Sequence, residues 1–330
     1  MSKRRYETAL ISGTLFFLLL CAFLSLRFGS THLSGAAFFG GLLRQNGYES
    51  AALILYSLRL PRMLAGLFAG AGLALSGSLL QKVTDNPLAA PSVLGINAGA
   101  GFFVILTMTL FPSVAALQPA AAFGGAMLTA FCILALSHKG GLGKVTVMLC
   151  GVAFSALFGA GISFLSVLDA DVLASYTAFS VGGLQGVTLR ELYLPMLMIL
   201  LCFVGAVMLS GRLQLFCLGD SLAASLGVSV KRVRLTALIL AAASAAAAVS
   251  FAGLLGFVGL LVPNLCRKLA KNDTCCEILL SPMVGGILLL VADLVGRLVF
   301  TPTEVPVGIF TALLGVPFFL TLLLRRNRHA

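Results

Sequence analysis

Apolar and small residues run along this chain in long blocks separated by short polar or basic stretches. A helix that crosses the hydrocarbon layer of a bilayer needs about 20 consecutive apolar residues, and the blocks have that length. They predict spans near 8–27, 60–80, 92–110, 114–137, 145–168, 191–210, 233–251, 254–266, 276–298 and 306–324, the eighth short and Gly-rich. The stretch 59–101 shows the pattern best. A basic, proline-containing entry (Arg59, Pro61, Arg62) leads into an apolar run, then the polar turn NPLAAP at 86–91, then a second apolar run. That is a membrane hairpin. No long polar segment divides the chain, so the reading is an all-α polytopic membrane protein of about ten transmembrane helices, with 1–330 a single membrane domain.

The basic residues orient the bundle. All 22 Lys and Arg fall outside the apolar runs or at their ends. With the N-terminus inside, only Arg27, Arg44, Arg59, Arg62, Arg190 and Arg297 face outward, which is the bias the positive-inside rule requires. An even number of spans then places both termini in the cytoplasm. Composition agrees: 10% of residues are charged, against about 25% in soluble domains. The net charge of +11 is spread over successive inner loops without interleaved aromatics. This suits contact with anionic membrane lipids and argues against nucleic acid. All five Tyr fall near expected span ends, where an apolar ring with a polar tip is at home. The first block resembles a signal peptide but lacks a small-x-small cleavage site, so an uncleaved first helix is expected.

Several chemistries are excluded. Cys21, Cys132, Cys150, Cys202 and Cys266 lie in apolar runs, where Cys behaves as a small hydrophobe. Cys217, Cys275 and Cys276 lie in loops assigned to the reducing cytoplasm. His32, His138 and His329 are far apart and no C-x-x-C pair exists, so neither a metal site nor a cofactor is expected. The nearest approach to a phosphate-binding loop, Gly143-Lys144, is followed by Val145, and His138 stands where the first Gly belongs. The chain is therefore not expected to be an enzyme, and any ATP hydrolysis must come from a separate subunit. Small residues recur at helical spacing, as in Gly66, Gly70 and Ala74, and close backbone approach through such residues holds membrane helices together.

Two places carry functional signals. Within the inner loop, 212–230 is a candidate coupling segment. Asp220 is placed to cap a helix and Gly227 to end it in the left-handed conformation. The six residues between them are far short of the roughly 12 that an isolated helix needs, so this helix must dock. Leu222, Ala223 and Leu226 form its apolar face, after Leu213, Leu215, Phe216 and Leu218. It either lies on the bilayer or seats in a groove of a partner. On the outer side, Arg59 and Arg62 share a helical face and Arg297 ends the ninth span. They either snorkel to the interface or form a positive ring for an acidic partner. Asp293 and Glu304 flank Arg297, and an ionisable group at membrane depth is either a functional site or one half of a structural pair.

At these residues the chain resembles the permease subunit of ATP-driven importers for ferric siderophores, haem and vitamin B12. The matching motifs are RLPR at 59–62, GAGLALSG at 70–77, Gln81, NPLAAP at 86–91 and LGINAGA at 94–100. They continue with LGDSLAASLGV at 218–228, GLLGFVGLLVPNLCR at 253–267, ADLVGR at 292–297 and EVPVGIFTALLGVPFF at 304–319. The resemblance implies ten helices per subunit in a bacterial plasma membrane. It also implies a second permease subunit in a homodimer or close heterodimer, two ATP-binding subunits and an extracytoplasmic substrate-binding protein. It assigns Arg59, Arg62 and Arg297 to docking of that binding protein. It assigns Leu218, Asp220, Ser221, Leu222, Ala223, Leu226 and Gly227 to the helix that seats in the ATPase. One departure is Asn264 after Pro263, where the family commonly has His. A self-contained secondary transporter is the competing reading, and would need coupling charges near the midplane.

Overall fold

The computed structural model describes residues 3–139, 144–299 and 304–326, and no strand occurs among the described residues. Gly143, Arg328 and His329, which entered the sequence reading, lie outside them, as do the side chains of His138 and Cys217. The helices are α1 (Lys3–Arg27), α2 (Gly35–Leu42), α3 (Glu49–Leu53), α4 (Leu60–Thr84), α5 (Ile96–Leu110), α6 (Gln118–Lys139) and α7 (Lys144–Leu168). They continue as α8 (Ala170–Val181), α9 (Leu189–Leu215), α10 (Asp220–Ser225), α11 (Val230–Ala252), α12 (Val258–Leu269), α13 (Thr274–Val299) and α14 (Val307–Arg326). A π-helical stretch, Ile54–Arg59, joins α3 to α4. Among the described residues, seven helices are long and apolar enough to cross a membrane: α1, the continuous Glu49–Thr84 helix, α6, α7, α9, α11 and α13. α5 and α14 are shorter apolar helices.

α4 is the hub. Gly70 of α4 and Gly285 of α13 meet backbone to backbone, so closely that a Cβ on either would collide with the other chain segment. Ser78 Oγ donates to Ser281 Oγ across the same seam (2.8 Å). On the opposite flank the alanine-rich run of α11 is buried, and Ser244 Oγ donates to the Gly72 carbonyl at 2.9 Å. The small residues expected to mediate close packing do so here. α7, by contrast, leaves Leu149, Leu157, Phe164 and Val167 exposed along its length.

Three departures from the hydropathy reading have physical causes. The expected span at 254–266 is instead irregular backbone at 253–257 followed by the 12-residue α12, which is too short to cross about 30 Å of hydrocarbon. Irregular backbone survives inside a membrane protein only where its polar groups find protein partners. Here the Leu254 N–H donates to the Phe179 carbonyl (3.2 Å) and the Gly183 N–H to that of Ala252 (3.0 Å). Those partners come from α8, a helix hydropathy did not separate from its neighbours, and from the residues just after it. Asp169 caps it by accepting from the Asp171 and Val172 N–H groups, and Gly182, at φ +76°, ends it. Tyr176 of α8 is only 8% exposed, so this tyrosine packs in the core and is not an interfacial anchor. Finally, 91–95 forms a turn, with Pro91, Leu94 and Gly95 buried and Ser92 and Val93 exposed, and α5 begins only at Ile96.

Candidate functional site

Arg59, Arg62 and Arg297 converge at one end of the bundle. Arg62, from the first turn of α4, donates through Nε and Nη2 to Asp293 Oδ1 (2.9 and 2.8 Å) and through Nη1 to Glu304 Oε2 (2.6 Å). Arg297, one helical turn beyond Asp293 on α13, pairs through Nε with Asp293 Oδ2 (3.0 Å) and donates to Ser25 Oγ (2.9 Å). Arg59 donates to the carbonyls of Leu26 and Arg27, both at 2.8 Å, and to that of Thr31. Arg59 is 4% and Arg297 3% exposed, so neither snorkels. The flanking pair Asp293 and Glu304 thus belongs to one ion network with the arginines. Burial pushes the Glu304 carboxyl up, but the hydrogen bond and charge of Arg62, with Ser30 and Gln185, outweigh it and hold it below its ordinary value. Beside the network opens a cavity of about 790 Å³, lined by the three arginines, Glu304, and the 29–31 and 185–188 segments.

The other end carries α10. Asp220 does not cap it: Gly219 takes the N-cap position, and Asp220 is the first helical residue. Its carboxylate instead receives Arg234 Nη2 of α11 at 2.7 and 2.9 Å. Gly227, at φ +83°, ends the turn in the left-handed region. The expected apolar face divides in two. Ala223 is fully buried, in one apolar cluster with Leu213, Phe216, Val233 and Ala237. Leu218, Leu222 and Leu226 are 54%, 56% and 60% exposed and form an outward ridge, with Ser221 exposed beside it. A helix of this length cannot hold itself; the Asp220–Arg234 pair and Ala223 hold it to the body.

A third cluster escaped the sequence reading. Lys82 of α4, expected at the end of an apolar run, and Glu277 of α13, to which the sequence assigned no role, meet at 2.8 Å with side chains 5% and 0% exposed. Arg267 of α12 approaches the same carboxylate (3.6 Å) and donates to Gln81 Oε1 (3.0 Å). Asn264 donates to the carbonyls of Pro87 (2.8 Å) and Leu260 (2.7 Å), fixing the polar turn of the hairpin to α12. The available signal was Glu277 itself, an acid inside an apolar run, which demands a buried partner.

Comparison with known proteins agrees with this architecture. Residues 17–325 match the FecCD transport family. The Fe(3+)-citrate import system permease protein of Bacillus subtilis is 34% identical over 307 residues, covering 93% of this chain and 92% of that protein. The cobalamin import system permease protein of Halobacterium salinarum is 38% identical over 285 residues, covering 86% and 76%. A solved ABC transporter in an inward-facing conformation, described as of the metal-chelate type, superimposes with a TM-score of 0.86 at 28% identity, over 96% of this chain and 99% of that one. With nearly its whole length matched, this multi-pass membrane protein belongs to the FecCD transport family.

Proposed function

We propose that the chain is the membrane-spanning permease subunit of an ATP-driven importer in the bacterial plasma membrane. Its cargo is an iron chelate (a ferric siderophore, ferric citrate or haem) or a corrinoid such as vitamin B12. It forms one membrane domain of ten crossings with both termini cytoplasmic, and α12 with its irregular lead-in 253–257 completes the count. It pairs with a second copy of itself or a close relative, two ATP-binding subunits on the α10 side, and an extracytoplasmic binding protein at the Arg62 end.

The observation that carries this reading is the ridge that Leu218, Leu222 and Leu226 form along the six-residue α10 and its two flanks, with Arg234 bracing the helix from behind. Braced and apolar, it suits a groove in a partner that pushes. Arg212, Lys231 and Arg232 are exposed around it and fit an acidic rim on that partner. Docking at the far end runs through the cavity that Arg59, Arg62 and Arg297 line with a single carboxylate, that of Glu304. Among the described residues the buried carboxylates Asp293 and Glu277 are held by arginine and lysine, which gives the secondary-transporter reading no coupling site in its favour. The test is co-purification: the intact chain should bring down an ATP-hydrolysing subunit. Isolation of a stable, transport-competent chain without one would reject the proposal.

A further inference from the structure

The two carboxylates of the arginine cluster are not equivalent. Asp293 is 3% exposed, sits within α13 and is shared by Arg62 and Arg297. Glu304 is 19% exposed, precedes α14 on a short non-helical segment and lines the cavity itself. One of its oxygens accepts from both Arg62 (2.6 Å) and Gln185 (2.9 Å). Asp293 therefore fills the buried side of the Arg62 fork and Glu304 the side that faces the cavity. A carboxylate entering from outside meets Arg62 where Glu304 already sits.

Resting on the docking reading above, we infer that Glu304 is an internal stand-in for an acidic side chain of the binding protein, which takes its place on Arg62. Charge draws the partner in and permits the exchange. Three arginines lie beside two carboxylates, an excess that attracts an acidic side chain, and the swap leaves Arg62 paired throughout because one carboxylate follows another. Asp293 is not the group exchanged, because its loss would strand two cations in the interior, among the most costly changes a protein can suffer. Glu304 borders open space and can move into it.

The exchange also reaches into the helix bundle. Gln185 lies in the turn between α8 and α9, and the segment bearing Glu304 runs directly into α14. There the Gly308 N–H donates to the Gly182 carbonyl (3.3 Å), and Gly308 lies so close to the Val181 carbonyl that no side chain fits. The ends of α8 and α11 and the start of α14 thus share one junction, and Glu304 ties it to α4 through Arg62. Displacing Glu304 removes that tie, so arrival of the partner is felt at the junction without any movement of Asp293.

The test measures affinity of the purified binding protein of the same import system for the assembled permease in lipid nanodiscs, at low salt and at about 1 M, where the Debye length is about 3 Å. Arg62→Gln should weaken binding. Glu304→Gln should tighten it about two- to fivefold, the scale of one partly exposed charge contact, and the gain should persist at high salt because a contact has been vacated. Asp171→Asn, which removes an exposed carboxylate outside the network, should lose any effect at high salt. Glu304→Asp keeps the charge but withdraws it by one methylene. It should tighten binding less than Glu304→Gln, and it provides the same sign test if that variant does not assemble. Weaker or unchanged binding in the Glu304 variants, with Arg62→Gln still weakening it, overturns the exchange and leaves docking standing. A gain that vanishes at high salt, as for Asp171→Asn, also overturns it. Unchanged binding in Arg62→Gln overturns the docking reading and the exchange together.

Discussion

Replacing Leu222 or Leu226 with Asp should detach the ATP-hydrolysing subunit while the permease still folds. Full burial of a leucine is worth roughly 1.5–3 kcal/mol. Leu222 and Leu226 are 56% and 60% exposed, so a partner that covers either one recovers about half of that, roughly 1–1.5 kcal/mol. An aspartate forfeits this and must also shed water from a polar group inside an apolar groove, at about 1–3 kcal/mol more. The total of about 2–4 kcal/mol corresponds to a loss of roughly 30- to 700-fold in affinity. Because both leucines point away from the permease, its thermal stability should change little. Ala223→Asp makes the contrast: Ala223 is fully buried, so that variant should fail in folding before it fails in coupling. The assay is titration of the purified ATPase subunit against permease in nanodiscs, with size-exclusion profiles as the folding control. Wild-type ATPase affinity in both leucine variants would refute the reasoning.

Other changes test the packing and the two ion clusters. Lys82→Met should destabilise by about 3–5 kcal/mol, because it breaks a buried pair and leaves Glu277 under-compensated, and Lys82→Met with Glu277→Leu should recover much of that loss in a melting assay. Gly70→Val should cost at least about 1–3 kcal/mol by forcing α4 off α13, whereas Gly124→Ala, with open space around it, should leave the melting temperature unchanged. Arg59→Glu should lower the melting temperature before any docking effect is measured, because it sets a carboxylate against the carbonyls of Leu26, Arg27 and Thr31. An unaltered melting profile in that variant would show that the buried arginine is not held as described.

What the sequence made legible follows from what a bilayer demands locally. Each expected block contains a helix because the hydrocarbon requires apolar length and internal hydrogen bonds, and both are written into consecutive residues. The break at 253–257 is not, because its long-range backbone bonds go to α8 and the turn just after it, far away in the chain. α8 itself was hidden because 12 residues of mixed character do not stand out in hydropathy, although the Asp169 cap and the Gly182 stop were visible in principle. Lys82 counts in the sequence only as an inner-side basic residue, and Glu277 has no partner near it in the chain; only the packing of α4 on α13 brings them together. The same limit applies to α10. Spacing identified an apolar face, but only the position of α11 determines that Ala223 turns inward and the leucines outward.

The proposed energy source lies outside the chain: the sequence holds no phosphate-binding loop, and among the described residues the buried carboxylates Asp293 and Glu277 are held by arginine and lysine. The decisive measurement is uptake of a ferric chelate or corrinoid into vesicles reconstituted with this chain, with and without its ATP-binding subunit and binding protein. Accumulation should require all components and ATP, and imposed proton or sodium gradients should not replace them. Gradient-driven accumulation by the chain alone would contradict the account.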